Sequence, residues 1–504
     1  IQKDKDNYEL YFAKAKLQLD LGHDDEVITG LKQIASLDRD GNYGRRATMM
    51  LAAYDLKQGD IEAAQLKAKE VLAVAPEDEA ALLLMSRIEI SNKNVDAAVT
   101  NLRLILRNNP ESDQALVLLA QAYMNSGSTE LADDNFRQAL AVNPGNSVAA
   151  LFVANNLMKA KDLDRTEEVL TAALAKATNK EALLQALAQV KILKKDWDGT
   201  QAVVDSLRSN KEDTALTLYL NGRISQGQEH YETAIQEYKA ALDKSPNLMR
   251  ALQGLAFSHL KLEQKPQLLE YLNAFIKKNP DQIPSYGVLA NLYIQSQDWD
   301  KAISTLNKGL ESEPKWQGGY STLASVYLAQ NKQDKAIETY QLGIDNTENN
   351  TLLMLKMASA SEQHGDFDKA KSIYETILEK NPNVEPAINN LASLLTDQFR
   401  SEENLQKAQA LAARFSSATQ PFYLDTYAWT NVLLGNYEKA QNVLERVVSL
   451  SPDIAVFNYH LGALYLKQGN KLDAEKYLNI AKSLAEKQND LATSKKVDEL
   501  LTSL

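Results

Sequence analysis

The stretch that decides the fold is DQALVLLAQAYMNSGSTELADDNFRQALAVNPGN, residues 113–146. It reads as two short helices joined by a turn, and much of it returns when the sequence is shifted by 34 residues in either direction. Proline marks the period and recurs in one phase along the chain, at Pro76, Pro110, Pro144, Pro246, Pro280, Pro314 and Pro382. A fixed period of this length is typical of a repeat solenoid, in which each unit stacks on its neighbours.

The residues inside the unit explain the period. Counting Asp113 as position 1, apolar residues recur on one face of each helix: Leu119, Ala120 and Tyr123 at positions 7, 8 and 11, then Ala132, Phe136 and Ala139 at positions 20, 24 and 27. The small residues let the two helices approach closely, and the large ones fill the space between them. Gly127 at position 15 supports the turn, and Pro144 at position 32 ends the second helix. This pattern resembles the tetratricopeptide repeat (TPR).

We therefore predict an all-α, TPR superhelical solenoid of about 14 helix-turn-helix repeats. The repeats fall into three groups by sequence quality. Residues 1–214 hold about six repeats, of which the first and the last two are degenerate. Residues 215–384 hold five regular repeats, and residues 385–504 hold three more repeats and a C-terminal capping helix.

Departures from the pattern are concentrated in a few places. Repeats 5 and 6 carry Thr166 and Thr200 at position 20, where alanine is usual. Repeat 12 (385–420) has extra residues in 396–404, which predicts a longer turn between its two helices. The last segment places four apolar residues on one stripe, as expected of a helix that covers the last repeat: Val497, Leu500, Leu501 and Leu504.

Bulk composition excludes several classes of protein. The chain of 504 residues has 55 basic and 67 acidic side chains, and its net charge of −12 is unsuited to nucleic acid. It has no cysteine, which excludes disulfides, thiolate zinc sites and thiol catalysis. No apolar run is long enough to span a membrane. The chain starts at Ile1 rather than methionine, so we expect a processed or shortened protein whose signal or lipid anchor lay upstream.

No motif for catalysis is present. We find no P-loop, nucleophile elbow, zinc-protease motif or dinucleotide fingerprint, and no two of the five histidines have the spacing of metal ligands on a helix. Catalysis needs groups that converge in a water-excluded pocket, whereas stacked helix pairs give an open surface. We therefore predict a protein that is not an enzyme and has no cofactor or metal.

Candidate binding residues lie on the first helix of each repeat, whose exposed face lines the concave groove in proteins with this repeat. Positions 2, 5, 9, 12 and 13 typically point into that groove. Ten polar or aromatic residues at positions 5 and 9 are our candidates: Arg87, Gln121, Asn155, Tyr219, Arg223, Phe257, Asn291, Asn389, Trp429 and Tyr459. Phe257 and Trp429 are favoured, because large apolar side chains exposed in a groove require a reason.

The C-terminal third carries a narrower resemblance. The order of VEPAINNLASLLTD (384–397), KAQALAARF (407–415), FYLDTYAWTNVLLGNYEKA (422–440) and FNYHLGALYLKQGNKLDAEKYL (457–478) is similar to the end of bacterial TPR lipoproteins of exopolysaccharide and PEP-CTERM protein-sorting systems. This resemblance implies a periplasmic or envelope-associated scaffold for polysaccharide export or protein sorting. A cytoplasmic location is the alternative.

The leading functional hypothesis is a non-catalytic scaffold that binds other proteins through its groove. Two alternatives stay open: a carbohydrate-binding array, motivated by Trp429, Tyr459 and Phe257, and the substrate-presenting arm of an enzyme whose catalytic domain lies outside this chain. One partner class is excluded. No three consecutive repeats carry the lysine and asparagine set with which some TPR domains clamp the acidic C-termini of heat-shock chaperones.

Overall fold

The computed structural model describes residues 11–12, 14–15, 17–18, 24–208 and 212–504. Within these residues the chain forms 28 α-helices and one 3₁₀-helix, in two compact units that divide after Glu263. The helices of the first unit are α1 Asp24–Leu37, α2 Asn42–Lys57, α3 Ile61–Val74, α4 Glu79–Ser91, α5 Val95–Asn108, α6 Asp113–Asn125, α7 Thr129–Val142, α8 Ser147–Lys159, α9 Leu163–Lys176, α10 Glu181–Lys194, α11 Trp197–Leu207, α12 Ala215–Gly227, α13 Tyr231–Lys244 and α14 Met249–Lys261.

The second unit continues the alternation. Its helices are α15 Lys265–Lys278, α16 Ile283–Gln295, α17 Trp299–Ser312, α18 Gln317–Ala329, α19 Gln333–Asn346, α20 Thr351–His364, α21 Phe367–Lys380, α22 Glu385–Asp397, α23 Glu402–Ala412, α24 Pro421–Leu433, α25 Tyr437–Leu450, α26 Ala455–Lys467, α27 Lys471–Gln488 and α28 Leu491–Leu501. From α1 to α27, even-numbered helices are the first helices of repeats and odd-numbered helices are the second helices, and α28 follows the last repeat. The predicted all-α class is confirmed, and none of the described helices is long and apolar enough to cross a membrane.

Helix starts are set by capping residues that recur with the repeat. The side chains of Asp78, Ser112 and Asn146, each 34 residues apart, accept hydrogen bonds from the backbone N–H groups three residues further on, at distances of 3.1, 3.4 and 3.1 Å. These bonds satisfy one of the N–H groups that an α-helix leaves free at its N-terminus. The sequence thus restarts a first helix shortly after each phased proline.

The turn between the helices has a left-handed residue at position 15, whether or not that residue is glycine. Gly127 has φ of +77°, as the sequence predicts. The same position is left-handed in every repeat from 2 to 14 except repeat 12: Gly59, Lys93, Gly127, Lys161, Lys195, Glu229, Glu263, Gln297, Asn331, Gly365, Gly435 and Gly469. The helix pair therefore imposes the conformation, and the residues with a Cβ adopt it at a steric cost.

The close approach predicted for positions 8 and 20 is present. Ala120 and Ala132 are fully buried, and Phe136 beside them is 2% exposed. The ring of Phe136 stacks on Phe152 of the next repeat with 4.0 Å between ring centroids. The core is therefore a chain of contacts between neighbouring repeats rather than one closed centre.

Repeats 5 and 6 fold as helix pairs in spite of their unusual position 20. Thr166 and Thr200 are fully buried, and each hydroxyl donates to the backbone oxygen four residues earlier, at 2.6 Å from Asp162 and 2.7 Å from Asp196. Threonine can replace alanine there because its polar atom is satisfied within its own helix.

Repeat 12 is irregular, as predicted. Its helices α22 and α23 are separated by the four residues 398–401, and a 3₁₀-helix, Ala413–Ser417, follows α23. In this turn the Arg400 side chain donates to the backbone oxygen of Thr396 at 2.9 Å. Phe415 is buried and stacks on Tyr423 with centroids 4.5 Å apart, which joins the 3₁₀-helix to the next repeat.

The capping helix α28 closes the C-terminal end. Val497 is fully buried and packs with Leu478 and Ala481 of α27. The Nζ of Lys496 lies 2.9 Å from a carboxylate oxygen of Asp397, the last residue of α22. In repeat 1, Gly22 stands at position 15, where the 34-residue pattern predicts the turn, and it lies outside the described residues. The three groups of repeats stay a prediction.

Candidate protein-binding groove

The first helices of repeats 5 to 8, α8, α10, α12 and α14, line a groove of about 750 Å³ within the first unit. Its lining residues are Leu151, Ala182, Gln185, Ala186, Gln189, Ile192, Leu193, Leu216, Tyr219, Leu220, Arg223, Gln226, Arg250, Gln253, Gly254 and Phe257. They fall on consecutive turns of the helices because residues three or four apart share one face. A groove of this size is comparable with ligand sites, which span roughly 300–1,000 Å³.

The floor of the groove is held by Tyr238 of the second helix α13. The Tyr238 ring is fully buried, and its hydroxyl donates to Gln226 Oε1 at 2.8 Å. Burial raises the pKa of Tyr238 well above that of a free tyrosine, so the hydroxyl keeps its proton and acts as the donor. The ring fits between α12 and α14 because glycine faces it from both sides. A Cβ at Gly222 would lie 2.5 Å from the ring, and a Cβ at Gly254 would lie 2.4 Å from it.

Arg223 projects from this floor. Its Nη1 donates to the Tyr219 hydroxyl at 3.2 Å, and Tyr219 is 7% exposed. Tyr219 lies 6.2 Å from Tyr238 between ring centroids, so the tyrosine pair orients the guanidinium from beneath. Arg250, at the start of α14, lines the same groove and is exposed.

An apolar surface completes the groove at α10 and α14. Phe257 is 44% exposed, as the sequence predicts, and Leu193 is also exposed. The Phe257 ring is 6.3 Å from the ring of Tyr231, and the Lys261 Nζ lies 5.5 Å from its centroid. These contacts fix the orientation of the phenyl ring while one face stays accessible.

Three of the ten candidate residues meet in this groove: Tyr219, Arg223 and Phe257. The others do not line it. Arg87, Asn155 and Asn291 are exposed on their own helices, and Gln121 is partly buried. The Asn389 Nδ2 donates to Asn390 Oδ1 at 3.1 Å, which ties it to a neighbour on α22.

The expectation that Trp429 is exposed is wrong. Trp429 is 7% exposed and packs among buried residues of the α24–α27 core, and Tyr459 is partly buried 5.8 Å from it. The indole stacks on the imidazole of His460 with centroids 4.0 Å apart. The sequence position indicated the concave side, but in this repeat the rings of His460 and Tyr459 pack against the indole and bury it.

Several groove residues were missed by the sequence analysis, although a signal for them existed. Arg250 is at position 2, Gln185 and Gln253 are at position 5, and Gln226 is at position 12 of their repeats. All three positions face the groove in this repeat type. Listing each such position in repeats 6 to 8 would have found them. In the described part of the chain, no group of three or more metal-binding side chains comes together.

Comparisons with known proteins agree with this architecture. Family models of the tetratricopeptide repeat match residues 55–121, 113–146, 285–315, 353–383 and 433–489. The molecule is therefore an all-α solenoid built from helix pairs, and the matched segments are tetratricopeptide repeats. The segment 113–146 is matched as one whole unit. No curated protein matches the chain.

Solved structures include similar chains. The APC/C hetero-tetramer Cut9–Hcn1 aligns over 98% of this chain and 96% of that one, with 14% identity and a TM-score of 0.41. Pseudomonas aeruginosa pilF covers 42% of this chain and 95% of its own, with 16% identity and a TM-score of 0.36. The C-terminal part of a TPR repeat-containing protein from Cytophaga hutchinsonii covers 47% of this chain and 98% of its own, with 21% identity and a TM-score of 0.31.

Proposed function

We propose that this protein is a non-catalytic scaffold that holds an extended segment of a partner protein in the groove of α8, α10, α12 and α14. TPR arrays in general act as scaffolds for protein interactions. One observation carries the proposal for this groove: four glutamine side chains, Gln185, Gln189, Gln226 and Gln253, line it beside the exposed ring of Phe257. Each amide offers both a donor and an acceptor, which is what an extended peptide backbone requires.

The dimensions of the groove suit a peptide. Neighbouring packed helices are roughly 8–10 Å apart, so four first helices side by side span about 30 Å. An extended chain rises about 3.3 Å per residue, so about eight residues would cross the groove. Phe257 and Leu193 would each pack against an apolar side chain of that segment, and the glutamines would fix its backbone. The apolar contacts would bury surface area, and the hydrogen bonds to the backbone would fix the position of the segment along the groove.

The finer part of the proposal concerns the cellular setting. We propose that the partner belongs to a bacterial cell-envelope assembly for exopolysaccharide export or protein sorting, and that this chain acts in the periplasm. The support is the sequence similarity in the C-terminal third, from VEPAINNLASLLTD (384–397) to FNYHLGALYLKQGNKLDAEKYL (457–478). Direct binding of polysaccharide is less well supported, because the buried Trp429 offers no open aromatic platform for a sugar ring.

The test is affinity capture with envelope and cytoplasmic extracts kept separate. The baits are the wild-type chain, a groove variant with Phe257→Ala and Gln253→Ala, and a control with Leu342→Ala. Leu342 is a good control because it is apolar and 55% exposed but lies on α19, a second helix. We expect envelope proteins to be captured by wild type and control and lost with the groove variant.

Two results would count against the proposal. Capture that is equal for all three baits would place the binding surface outside the groove. Partners found only in the cytoplasmic extract would contradict the envelope role and leave a scaffold of another compartment.

A further inference from the structure

The groove differs in charge from the rest of the chain. The chain has a net charge of −12, with more acidic than basic side chains. The described residues that line the groove include Arg223 and Arg250 but no Asp or Glu. A cationic groove on an acidic protein has a locally positive potential, which attracts anionic partners. The groove lining has no acidic side chain that would repel them.

Both guanidinium groups are available to a ligand. Arg223 bonds to the Tyr219 hydroxyl, and no carboxylate of the described chain pairs with Arg223 or Arg250. Some arginines elsewhere are paired with an acidic side chain. Arg107, Arg137 and Arg208 each contact a carboxylate within 2.9 Å. The two groove arginines thus keep their charge uncompensated next to amide and apolar groups.

We propose that the bound partner segment carries carboxylate side chains that pair with Arg223 and Arg250, separated by an apolar residue that packs on Phe257. This inference rests on the proposed function, since it names the chemistry of the segment that the groove holds. Guanidinium binds carboxylate in a planar, two-pronged geometry and is weakly hydrated, so it loses little on entering a partly buried site. Tyr219 pre-orients one of the two groups, which reduces the entropy lost on binding.

The occupant is a protein segment rather than an anionic polysaccharide. A polyuronate would also supply carboxylates, but it has no apolar side chain for Phe257 and Leu193. It also lacks the peptide backbone that the four glutamines can bond. The contacts are to side-chain carboxylates within an extended segment, so a free C-terminus is not required.

The experiment uses the full chain and three fluorescein-labelled, C-terminally amidated peptides of about eight residues, a length that matches the groove. One carries glutamates spaced around two leucines, and the other two replace every glutamate by glutamine or by lysine. Fluorescence anisotropy gives the affinities. We expect the glutamate peptide to bind at least about tenfold more tightly than the glutamine peptide, and the lysine peptide to bind weakest.

Matched variants locate the effect. Arg223→Gln and Arg250→Gln should each weaken binding of the glutamate peptide roughly tenfold and leave the glutamine peptide unchanged. The control Arg446→Gln removes the same charge from α25, a second helix on which Arg446 is exposed outside the groove, and should change neither affinity. Circular dichroism of each variant verifies that the helices are intact.

Several outcomes overturn the inference. Equal affinity for the glutamate and glutamine peptides would remove the role of charge. An equal effect of Arg446→Gln would show that the general charge of the protein, and not a specific site, determines the affinity. No binding of the glutamate peptide at millimolar concentration, or tighter binding of an alginate hexamer, would exclude this class of segment. If the glutamine peptide binds equally well and Phe257→Ala abolishes its binding, the peptide groove stands and only the carboxylate inference fails.

Discussion

The imidazole of His460 contacts the carboxylate of Asp425 through Nδ1, which is 2.9 Å from both carboxylate oxygens. The two residues are 35 positions apart in the sequence. Both side chains are buried, and the Trp429 indole covers the imidazole. Burial raises the pKa of Asp425, which means that the ionised carboxylate is disfavoured at this place. The interaction with His460 favours the ionised form. The pair joins the first helices of repeats 13 and 14.

His460→Ala should therefore destabilise the second unit by about 3–5 kcal/mol, because it leaves a buried carboxylate without its partner. Hydrogen exchange of the α24 and α26 backbone amides, together with chemical denaturation, measures the loss. The control His364→Ala removes an exposed histidine that is 3.4 Å from Asp334 and should change stability by less than about 0.5 kcal/mol. Equal losses in the two variants would show that the buried pair has no special role.

Glu362 gives a prediction about pH. Burial raises the pKa of Glu362, although the Tyr374 hydroxyl donates to its Oε1 at 2.6 Å. Because the folded protein holds this proton more tightly than the unfolded chain, the contribution of Glu362 to stability is complete below the ordinary glutamate pKa. It is lost as the pH rises through the folded-state pKa.

Glu362→Gln should accordingly gain stability relative to wild type as the pH rises from about 4 to about 7, since the amide keeps the bond from Tyr374 without a charge. Thermal denaturation across this range checks the sign. Glu379→Gln, which removes an exposed carboxylate from α21, provides the baseline. A stability difference between Glu362→Gln and wild type that stays constant or falls with pH would contradict the assignment.

The left-handed turns predict opposite effects of two substitutions. Gly127 has φ of +77° and Lys161 has φ of +61° at the same position of neighbouring repeats. A Cβ at Gly127 meets no atom within 4 Å, so its cost comes from the backbone alone. Gly127→Ala should destabilise by about 1–2 kcal/mol, whereas Lys161→Gly should be neutral or stabilise by up to about 1 kcal/mol. Guanidinium denaturation compares the two, and a loss from Lys161→Gly as large as that from Gly127→Ala would refute the steric explanation.

Gly254→Ala tests the packing beneath the groove. Its Cβ would lie 2.4 Å from the buried Tyr238 ring, which the bond to Gln226 holds in place. Overpacking of this kind should cost about 1–3 kcal/mol and increase hydrogen exchange in α12 and α14. Gly287→Ala is the matched control on a first helix, because its Cβ would find its nearest neighbour at 3.5 Å. If both alanine variants are as stable as wild type, Tyr238 does not fix the floor.

Much of the fold can be predicted from the sequence, because it depends on contacts between residues that are close along the chain. The phased prolines, the caps at Asp78 and Ser112 and the small residues such as Ala120 and Ala132 act within one repeat or between neighbours. Contacts of this range can be inferred from spacing alone. Even the threonines of repeats 5 and 6 are accommodated by bonds within their own helices.

The candidate site was harder to predict, because the identity of the exposed face depends on which side chains cover one another. Trp429 and Phe257 occupy the same position of their repeats, yet one is buried and the other is 44% exposed. The difference arises from their neighbours, since the Trp429 indole stacks on the imidazole of His460 and lies 5.8 Å from the ring of Tyr459. The repeat pattern predicts which way a side chain points, but it does not predict whether neighbouring side chains bury it.

The central claim, that a partner segment lies in the groove of α8, α10, α12 and α14, is tested most directly by site-specific photocrosslinking. A benzoylphenylalanine is placed at Phe257 in one protein and at Leu342 in another, and each is irradiated with the same envelope extract. We expect a discrete protein adduct from position 257 that is absent from position 342, and the adduct should map to an extended segment of one partner. Adducts that are the same from both positions, or none from position 257 while partners are still captured, would contradict it.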